Sequence, residues 1–343
     1  MKKKKRFLCH LKKSQKEKAE VANKGQLILD ATCCPSDIAY PTDLNLLNQA
    51  RIITEKTIDK LYKPLKITVR NKPRTYRKKA RKNYLKIAKQ RKPRKKARFK
   101  AIKEQLQYIK RNLSHIKKLL NQGSSLSYLS KLEYKKFLVA TELYRQQLWM
   151  YEQKTNRIED RIVSINQPHI RPIVRGKAGS SVEFGAKISA SCVDGYVFLD
   201  HLSWDNFNES NDFVEQVELF KEKTGSYPSS VHVDKIYRTR NNRAFCKEKG
   251  IRISGVPLGR PPKNIRDKIK KQAQEDERVR IAIEGKFGQG KRRFTLNKIM
   301  SKLPSSSATT IAIIFLVMNL SALLKEFLSL FFVKNLLKQF LIT

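Results

Sequence analysis

The stretch Gln26-Leu27-Ile28-Leu29-Asp30 is a short apolar run that ends in a carboxylate. A second stretch, Ser230-Val231-His232-Val233-Asp234, repeats this pattern much later in the chain. Short runs rich in leucine, isoleucine and valine predict buried strands. Each acid therefore stands at the end of a predicted strand, and the two acids lie side by side if the strands are neighbours. These stretches predict a sheet that carries carboxylates at one edge.

Helical and strand patterns alternate through the rest of the chain. In order, we predict a helix from Pro41-Thr42-Asp43, helical runs at 102–120 and 134–151, strands at 182–191 and 195–202, a helix at 208–223, a helix ending at Gly250 and a strand at 251–256. The pair Asp194-Gly195 is a strong hairpin signal. The two long helical runs predict an antiparallel helical hairpin with a supercoil-like seam. The order indicates an α/β or mixed α+β fold with a long helical insertion after the first strand.

The charge of the chain points to a polyanionic partner. Its 343 residues hold 74 Lys and Arg against 30 Asp and Glu, a net charge of +44. Such a field argues against a small neutral substrate and favours nucleic acid, with an anionic membrane surface as the lesser alternative. The densest basic segment, residues 70–100, contains no acid, and self-repulsion predicts that it is extended unless phosphates neutralise it. We expect DNA contacts from Arg74, Arg77, Lys78, Lys79, Arg81, Arg94, Lys95 and Lys96.

The apolar and cysteine patterns favour a protein that works inside the cell. The five cysteines form no C-x-x-C pair, which predicts free thiols in a reducing compartment. The most apolar stretch, residues 311–324, falls short of the roughly 20 residues that a spanning helix needs. We therefore expect a buried core helix there, no membrane partner and a cytoplasmic location. The charged segment that follows Gly259 and runs to Glu277 is predicted to be mobile.

A third acid, Glu284, lies in a helix-compatible run and completes a set with Asp30 and Asp234. Three carboxylates repel one another unless cations bind, and oxygen-only ligands suit Mg²⁺ or Mn²⁺. Paired metal ions clamp the attacking and leaving oxygens of a phosphoryl displacement. A basic protein with such a site is expected to cut or join nucleic acid. The run Gly288-Gln289-Gly290-Lys291 lacks full phosphate-loop spacing, so no nucleotide cofactor is expected.

Several local motifs resemble the DDE transposases of bacterial insertion sequences, in the group named after insertion sequence five. They are Leu27-Ile28-Leu29-Asp30-Ala31-Thr32, Tyr40-Pro41-Thr42-Asp43, His169-Ile170-Arg171-Pro172-Ile173-Val174-Arg175-Gly176-Lys177, Val182-Glu183-Phe184-Gly185-Ala186-Lys187, His232-Val233-Asp234-Lys235-Ile236-Tyr237-Arg238-Thr239-Arg240-Asn241-Asn242 and Glu284-Gly285-Lys286-Phe287-Gly288-Gln289-Gly290-Lys291-Arg292-Arg293. The resemblance spans roughly residues 25–324.

This resemblance implies an RNase H-like catalytic core with Asp30, Asp234 and Glu284 as its three metal-binding acids, and about two Mg²⁺ ions. It also implies that Arg280, Lys291 and Arg292 hold DNA, and that a homodimer engages paired element ends. The family signature has a tyrosine where this chain has Glu277. Few residues precede Asp30, so we expect an amino-terminally truncated copy in which recognition of the element's ends is reduced.

We divide the chain into a basic leader (1–24), the first part of the core (25–65), a basic segment with the helical hairpin (66–165), the remainder of the core (166–300) and an apolar helical region (301–343). The alternative function is a non-catalytic basic protein that binds nucleic acid, in which the acids are structural. The two functions differ in their need for a divalent metal. A transposase requires the metal to nick DNA, whereas a passive binding protein binds nucleic acid without the metal and does not cut it.

Overall fold

The computed structural model describes residues 22–174, 182–259 and 262–340, with side chains omitted at 263 and 332–340. The strands are β1 Gln26–Pro35, β2 Arg171–Val174, β3 Val182–Val193, β4 Tyr196–Ser203, β5 Ser230–His232 and β6 Arg252–Ile253. The helices are α1 Asp43–Tyr62, α2 Arg77–Ala88, α3 Lys95–Asn121, α4 Lys131–Glu152, α5 Phe213–Thr224, α6 Arg240–Glu248, α7 Arg266–Arg293 and α8 Pro304–Phe340. The predicted basic leader lies almost wholly outside these residues, as do Cys9 and the motif residues Arg175-Gly176-Lys177.

A single mixed sheet forms the core, in the order β2-β3-β1-β5-β6, with β4 also paired to β3. The pairs β1–β3, β2–β3 and β3–β4 are antiparallel, whereas β1–β5 and β5–β6 are parallel. Because side chains alternate along a strand, β1 serves two cores. Ile28 packs beneath α7 and α8, whereas Leu27 and Leu29 pack against α5 and α6. The predicted mixed α/β class is confirmed.

The β3–β4 hairpin is confirmed at the predicted turn. Asp194 and Gly195 connect the strands with φ values of +48° and +83°. Two consecutive left-handed residues match the right-handed twist of the flanking strands, which is why Asp-Gly is favoured at such a turn. The turn sets the register in which Val193 faces Tyr196.

The two long helical runs are confirmed as α3 and α4, but they do not pack only on each other. Leu47 and Ala50 of α1 share one apolar cluster with Ile109 of α3 and Leu143 of α4. A second cluster again joins α1 and α3, through Ile58 and Leu119 among others. A helix pair buries only one stripe of each partner, so the third helix supplies the apolar surface that the hairpin needs.

The prediction of an extended basic segment at residues 70–100 is wrong. The segment contains α2 and the beginning of α3. Lys and Arg are good helix formers, and acids from other segments offset part of their charge. Arg77 donates to both carboxylate oxygens of Asp59, at 3.1 and 2.8 Å, and Asn83 donates to Glu104 at 2.8 Å. The sequence count of acids inside the segment missed these partners because they lie elsewhere in the chain.

The charged segment that ends at Glu277 is helical from Arg266, as the first part of α7. Asp276 attaches this part to the sheet. Its carboxylate accepts hydrogen bonds from Arg252 of β6 at 2.8 and 2.9 Å and from the amide of Gly255 at 3.1 Å. Burial raises the pKa of Asp276, but these donors outweigh burial and the net pKa is lowered. The segment is therefore helical from Arg266 and is anchored to the sheet near its end, while its mobility stays a prediction.

The apolar stretch at residues 311–324 belongs to α8, a helix of 37 residues. Among the side chains of α8 that the structure describes, the buried apolar ones are Ile311, Ile314, Phe315 and Met318, and the large apolar ones from Leu320 to Phe331 are exposed. The estimate that the stretch is too short to cross a membrane is wrong: Pro304–Phe331 is long and apolar enough by length and composition, with 28% of its most apolar window buried. The prediction of a buried core helix is correct only for one face of the first half of α8.

Candidate active site

Asp30 and Asp234 each lie two residues after the last paired residues of two neighbouring parallel strands. Ile28 of β1 pairs with His232, the last residue of β5, so Asp30 lies two residues farther along β1 and Asp234 lies two residues beyond the end of β5. Adjacent strands are about 4.8 Å apart, and residues two apart point to the same face. Asp30 and Asp234 therefore occupy corresponding positions relative to the paired residues Ile28 and His232.

Asp30 lies in the middle of its strand, whereas the sequence predicted it at the strand's end. β1 continues to Pro35 because β3 pairs with it along that whole length. β5, by contrast, ends at His232, so Asp30 stands where the parallel neighbour stops. Its side chain is 18% exposed. Desolvation raises the pKa of Asp30 to about 6, against a hydrogen bond from the Ala31 amide and the charge of Arg280 that lower it.

Asp234 is exposed and begins a short helical turn. Its Oδ1 accepts a hydrogen bond from the backbone amide of Lys235 at 2.6 Å. An acid at such a position satisfies an amide that has no partner in the turn. This hydrogen bond from the backbone fixes the position of the Asp234 carboxylate.

Helix α7 brings Glu284 to the face of the sheet that carries Asp30. Ile283 and Phe287 pack into the core cluster that contains Ile28 of β1. Residues three and four apart share a helix face, so Arg280 and Glu284 are directed to the same side as these apolar anchors. Packing and the Asp276 hydrogen bonds thus fix the helix against the strand that holds the first acid.

Arg280 stands among the predicted catalytic acids. Its Nη1 lies 2.9 Å from Glu284 and 4.0 Å from Asp30, and its guanidinium also donates to Glu277. The hydrogen bond to Glu277 is the largest cause of its raised pKa, and the charges of Glu284 and Asp234 raise it further. All three predicted acids therefore act on one guanidinium. Sequence reasoning assigned Arg280 to DNA, whereas here its partners are carboxylates.

The donor set suits a divalent metal by its chemistry. Asp30, Asp234 and Glu284 offer only carboxylate oxygens, the ligands of Mg²⁺ and Mn²⁺. The raised pKa of Asp30 marks a buried carboxylate that the arginine at 4.0 Å does not fully compensate. Among the described residues, no group of three His, Cys, Asp or Glu side chains stands ready-made to hold a metal ion. Glu284 would have to exchange Arg280 for a metal in order to complete such a group.

The other two basic residues predicted on α7 lie farther along the helix. The charge of Lys291 acts on the thiol of Cys33, three residues beyond Asp30 on β1, where burial is the main influence and raises the thiol pKa. The guanidinium of Arg292 packs over Gly288, where an added Cβ would meet it at 3.1 Å.

The basic side chains predicted to touch DNA are exposed on α2, at the start of α3 and just before each of these helices. This holds for Arg74, Arg77, Lys78, Lys79, Arg81, Arg94, Lys95 and Lys96. Arg77 differs from the rest, because its ion pair with Asp59 raises its pKa and occupies its guanidinium. The other cations form two exposed groups, one at residues 74–81 around the start of α2 and one at residues 94–96 at the start of α3.

Sequence reasoning missed two acids beside the site. Glu209 raises the pKa of Asp30 through its charge, and it pairs with Lys187 of β3 at 3.3 Å. Asp276 positions α7, as described above. A periodicity signal existed for Asp276, which lies four and eight residues before Arg280 and Glu284 on one helix face. No signal existed for Glu209, because it follows no strand and reaches the site only through the fold.

A cavity of about 780 Å³ adjoins the site through Glu277. It lies between the first turns of α7 and the loop after β6, and Arg238, Arg266 and Lys270 supply cationic groups to its wall. Arg238 donates to the carbonyl of Val233, next to Asp234. Asp267 and Glu277 also line the cavity, so charges of both signs lie beside the acidic site.

One comparison with known proteins bears on this site. Residues 231–321 match the family model described as transposase DDE domain. The match includes Asp234, Arg280, Glu284 and Lys291, and it leaves Asp30 outside. No curated protein and no solved structure matches the chain. The family generally uses divalent metal ions. The matched segment supports a DDE transposase.

Proposed function

We propose that the chain is a DNA transposase that cuts the ends of an insertion sequence and joins them to target DNA. The observation that supports the proposal is that Asp30 and Asp234 follow paired residues of the adjacent parallel strands β1 and β5, while Arg280 of α7 lies 2.9 Å from Glu284 and 4.0 Å from Asp30. This placement is the one that the family resemblance requires of its three acids. The group named after insertion sequence five supplies the matching local motifs.

An RNase H-like core accounts best for the sheet. Three antiparallel strands, β4-β3-β1, continue into two strands parallel to β1, and the first two acids lie where β1 and β5 meet. The helical bundle of α1, α3 and α4 is then an insertion between β1 and the rest of the sheet. The strand order supports this assignment independently of the motifs.

Asp30, Asp234 and Glu284 are the residues that would hold divalent metal. When bound, a pair of such ions activates the attacking oxygen and stabilises the leaving oxygen of an in-line phosphoryl displacement. Arg280 holds the carboxylate of Glu284 in place and reduces repulsion among the acids. A DNA phosphate offers Arg280 an alternative anionic partner, so substrate and metal together can free Glu284 from the guanidinium.

DNA binding is assigned to the exposed cations of α2 and early α3, together with Lys291 and Arg292. Phosphate contacts of this kind provide affinity and register without sequence information. The substrate is double-stranded DNA at the element's ends and at the target, engaged by a homodimer. The place of work is the bacterial cytoplasm, at the nucleoid.

The decisive experiment is nicking and joining of plasmid DNA that carries the element's ends, in Mg²⁺. Asp30→Asn, Asp234→Asn and Glu284→Gln should each reduce both steps by about 10³-fold or more, since several kcal/mol of charge stabilisation are lost at 1.36 kcal/mol per decade. DNA binding should persist, because removing negative charge does not weaken attraction to phosphate. Asp194→Asn, the same change at an exposed turn, is the matched control. If the Asp234→Asn protein nicked DNA at the wild-type rate, the nicking would not come from this site. The mechanism would then be wrong, and the chain would be a passive nucleic-acid binder.

Salt dependence of binding tests the assigned DNA surface. Replacing Lys78, Lys79 and Arg81 by glutamine should reduce the slope of log K against log salt by about 0.9 per lost phosphate contact. The matched control replaces Lys131, Lys135 and Lys136 of α4, which lowers net charge equally. An equal loss of slope in both variants would show that binding depends on net charge and not on this surface.

A further inference from the structure

Tyr76 is an exposed aromatic residue immediately before helix α2. The residue is 49% exposed, and its backbone φ is +51°. A residue with a Cβ rarely adopts this left-handed conformation, which is retained where surrounding contacts fix the chain. The structure therefore has to supply contacts that hold the tyrosine in this position.

Contacts on both sides of Tyr76 provide this support. The preceding residue, Thr75, is buried, and its Oγ1 accepts a hydrogen bond from Nε of Arg77 at 3.2 Å. Arg77 also donates to both carboxylate oxygens of Asp59, and Nζ of Lys72 lies 2.6 Å from the same carboxylate. The chain before and after the tyrosine is thus tied to α1. A loop that is fixed in advance loses little conformational entropy when a ligand binds.

Arg111 of α3 covers one face of the Tyr76 ring. Its guanidinium carbon lies 4.8 Å from the centre of that ring and 5.6 Å from the centre of the Tyr108 ring. A guanidinium at this distance is attracted to the face of an aromatic ring. Tyr108 is only 9% exposed, so the cation joins Tyr76 to the body of the bundle. A ring that is covered on one face and half exposed presents its other face to solvent. We call the Tyr76 ring and Arg111 the Tyr76 platform.

A cavity of about 530 Å³ adjoins the Tyr76 platform. This volume is within the range of roughly 300–1,000 Å³ that is typical of small-ligand pockets. Five of the eight residues that line it, at positions 72–79, are Lys or Arg, and none of these eight described residues is acidic. Asp59 pairs with two of the five cations, as described above. Arg74, Lys78 and Lys79 supply the remaining positive charge beside the ring.

We propose that the Tyr76 platform binds an unpaired nucleotide of a DNA strand. Its base stacks on the exposed face of the tyrosine, and the neighbouring phosphates lie beside Arg74, Lys78 and Lys79. Every base has a π-face, so such stacking tolerates any sequence. The base of a paired nucleotide is already stacked within the duplex and reaches the ring only if it is extruded. The site therefore favours single-stranded or distorted DNA over an intact duplex.

The inference rests on the proposed function only in taking DNA as the polyanion. The Tyr76 platform belongs to the helical bundle, and stacking of a base on it requires neither the three acids nor a metal ion. Its test is therefore carried out in EDTA, where metal-dependent nicking does not take place. A chain that failed to nick DNA would still give a clear result in this binding test.

The test compares binding of a single-stranded thymidine oligonucleotide with binding of a blunt hairpin duplex, by fluorescence anisotropy of the full chain. Tyr76→Leu should weaken binding of the single strand by about tenfold, as expected for loss of one base stack. The same change should alter binding of the duplex by less than about twofold, since phosphate contacts remain. Tyr76→Trp, which keeps an aromatic face, should retain the affinity for the single strand. Tyr128→Leu is the matched control, because Tyr128 is 52% exposed and lies between α3 and α4.

A second measurement uses the wild-type protein and does not depend on how a variant folds. The fluorescence of 2-aminopurine in the strand should fall when the wild type binds, because stacking quenches this base. A strand with abasic sites in place of its bases should bind the wild type about tenfold more weakly than the thymidine strand, because the stacking contribution is lost.

Two results would overturn the proposal. One is a wild-type protein that binds the abasic strand as tightly as the thymidine strand, because the contacts would then be with phosphates alone. The other is a folded Tyr76→Leu protein whose affinities for single strand and duplex fall equally or do not fall, because Tyr76 would then contribute no preference for unpaired bases.

Discussion

The helical bundle and the sheet each bury charge, but they treat it in opposite ways. In the bundle, Arg51 is 2% exposed and donates to Glu55 of its own helix, and also to Asn48 and to Gln105 of α3. In the sheet, Asp30 is 18% exposed and has one backbone donor and an arginine at 4.0 Å. A buried charge with several hydrogen-bond partners, such as Arg51, contributes to the stability of the fold. A buried charge with few partners, such as Asp30, is stabilised further when a ligand binds.

The largest effect is expected in the bundle. Glu55→Ala leaves the Arg51 guanidinium buried without its carboxylate, and loss of one partner of a buried pair costs about 3–5 kcal/mol. Chemical denaturation of the full chain measures this loss. The double variant Arg51→Met/Glu55→Leu removes both charges and should retain most of the stability. If Glu55→Ala left the free energy of unfolding unchanged, the buried pair would contribute no more to stability than an exposed pair.

The next effect has the opposite sign and lies at Asp30. Its pKa of about 6 exceeds the ordinary 3.8, so its contribution to stability is present below about pH 4 and lost as pH rises through 6. At 1.36 kcal/mol per pKa unit, Asp30→Asn should stabilise the protein by about 2–3 kcal/mol at pH 8 and scarcely at all at pH 4. The pKa of Asp30 is also affected by the charges of Arg280, Glu209 and Glu284. These residues are present in both the wild type and the Asp30→Asn variant, so they do not differ between the two.

Denaturation of wild type and Asp30→Asn at both pH values measures this difference. Mg²⁺ should narrow it at pH 8, since a cation that binds only the native site stabilises the wild type by mass action. If the difference in stability between the two proteins did not change with pH, the pKa of Asp30 would not be raised by burial.

The smallest effect is expected at an exposed pair. Arg77 and Asp59 are joined at 2.8 Å on the surface of the bundle, with side chains 45% and 33% exposed. Solvent screens such pairs, so Asp59→Asn should cost about 1 kcal/mol or less. The freed Arg77 should then strengthen DNA binding modestly, which a gel shift at low salt detects. A large loss of stability would show that this pair behaves like the buried one.

The candidate site could be predicted from sequence to the extent that local patterns carry it. The strands that hold Asp30 and Asp234, the helix of Glu284 and the Asp194-Gly195 turn were all evident from periodicity and turn chemistry. Glu209 and the Arg280 contacts were not, because they depend on which segments meet. The length of β1 beyond Asp30 was missed for the same reason, since its pairing with β3 sustains it.

By itself, the sequence determined the mixed fold class, the order of elements and the excess of positive charge, because these follow from side-chain period and composition. Tertiary structure alone decided three further features. It made the basic segment helical through acids from other segments, it enclosed Arg280 among carboxylates, and it buried one face of α8 while leaving the other exposed. The physical reason is common to all three: a side chain's partners are set by long-range packing, and neither charge balance nor burial can be counted along the chain.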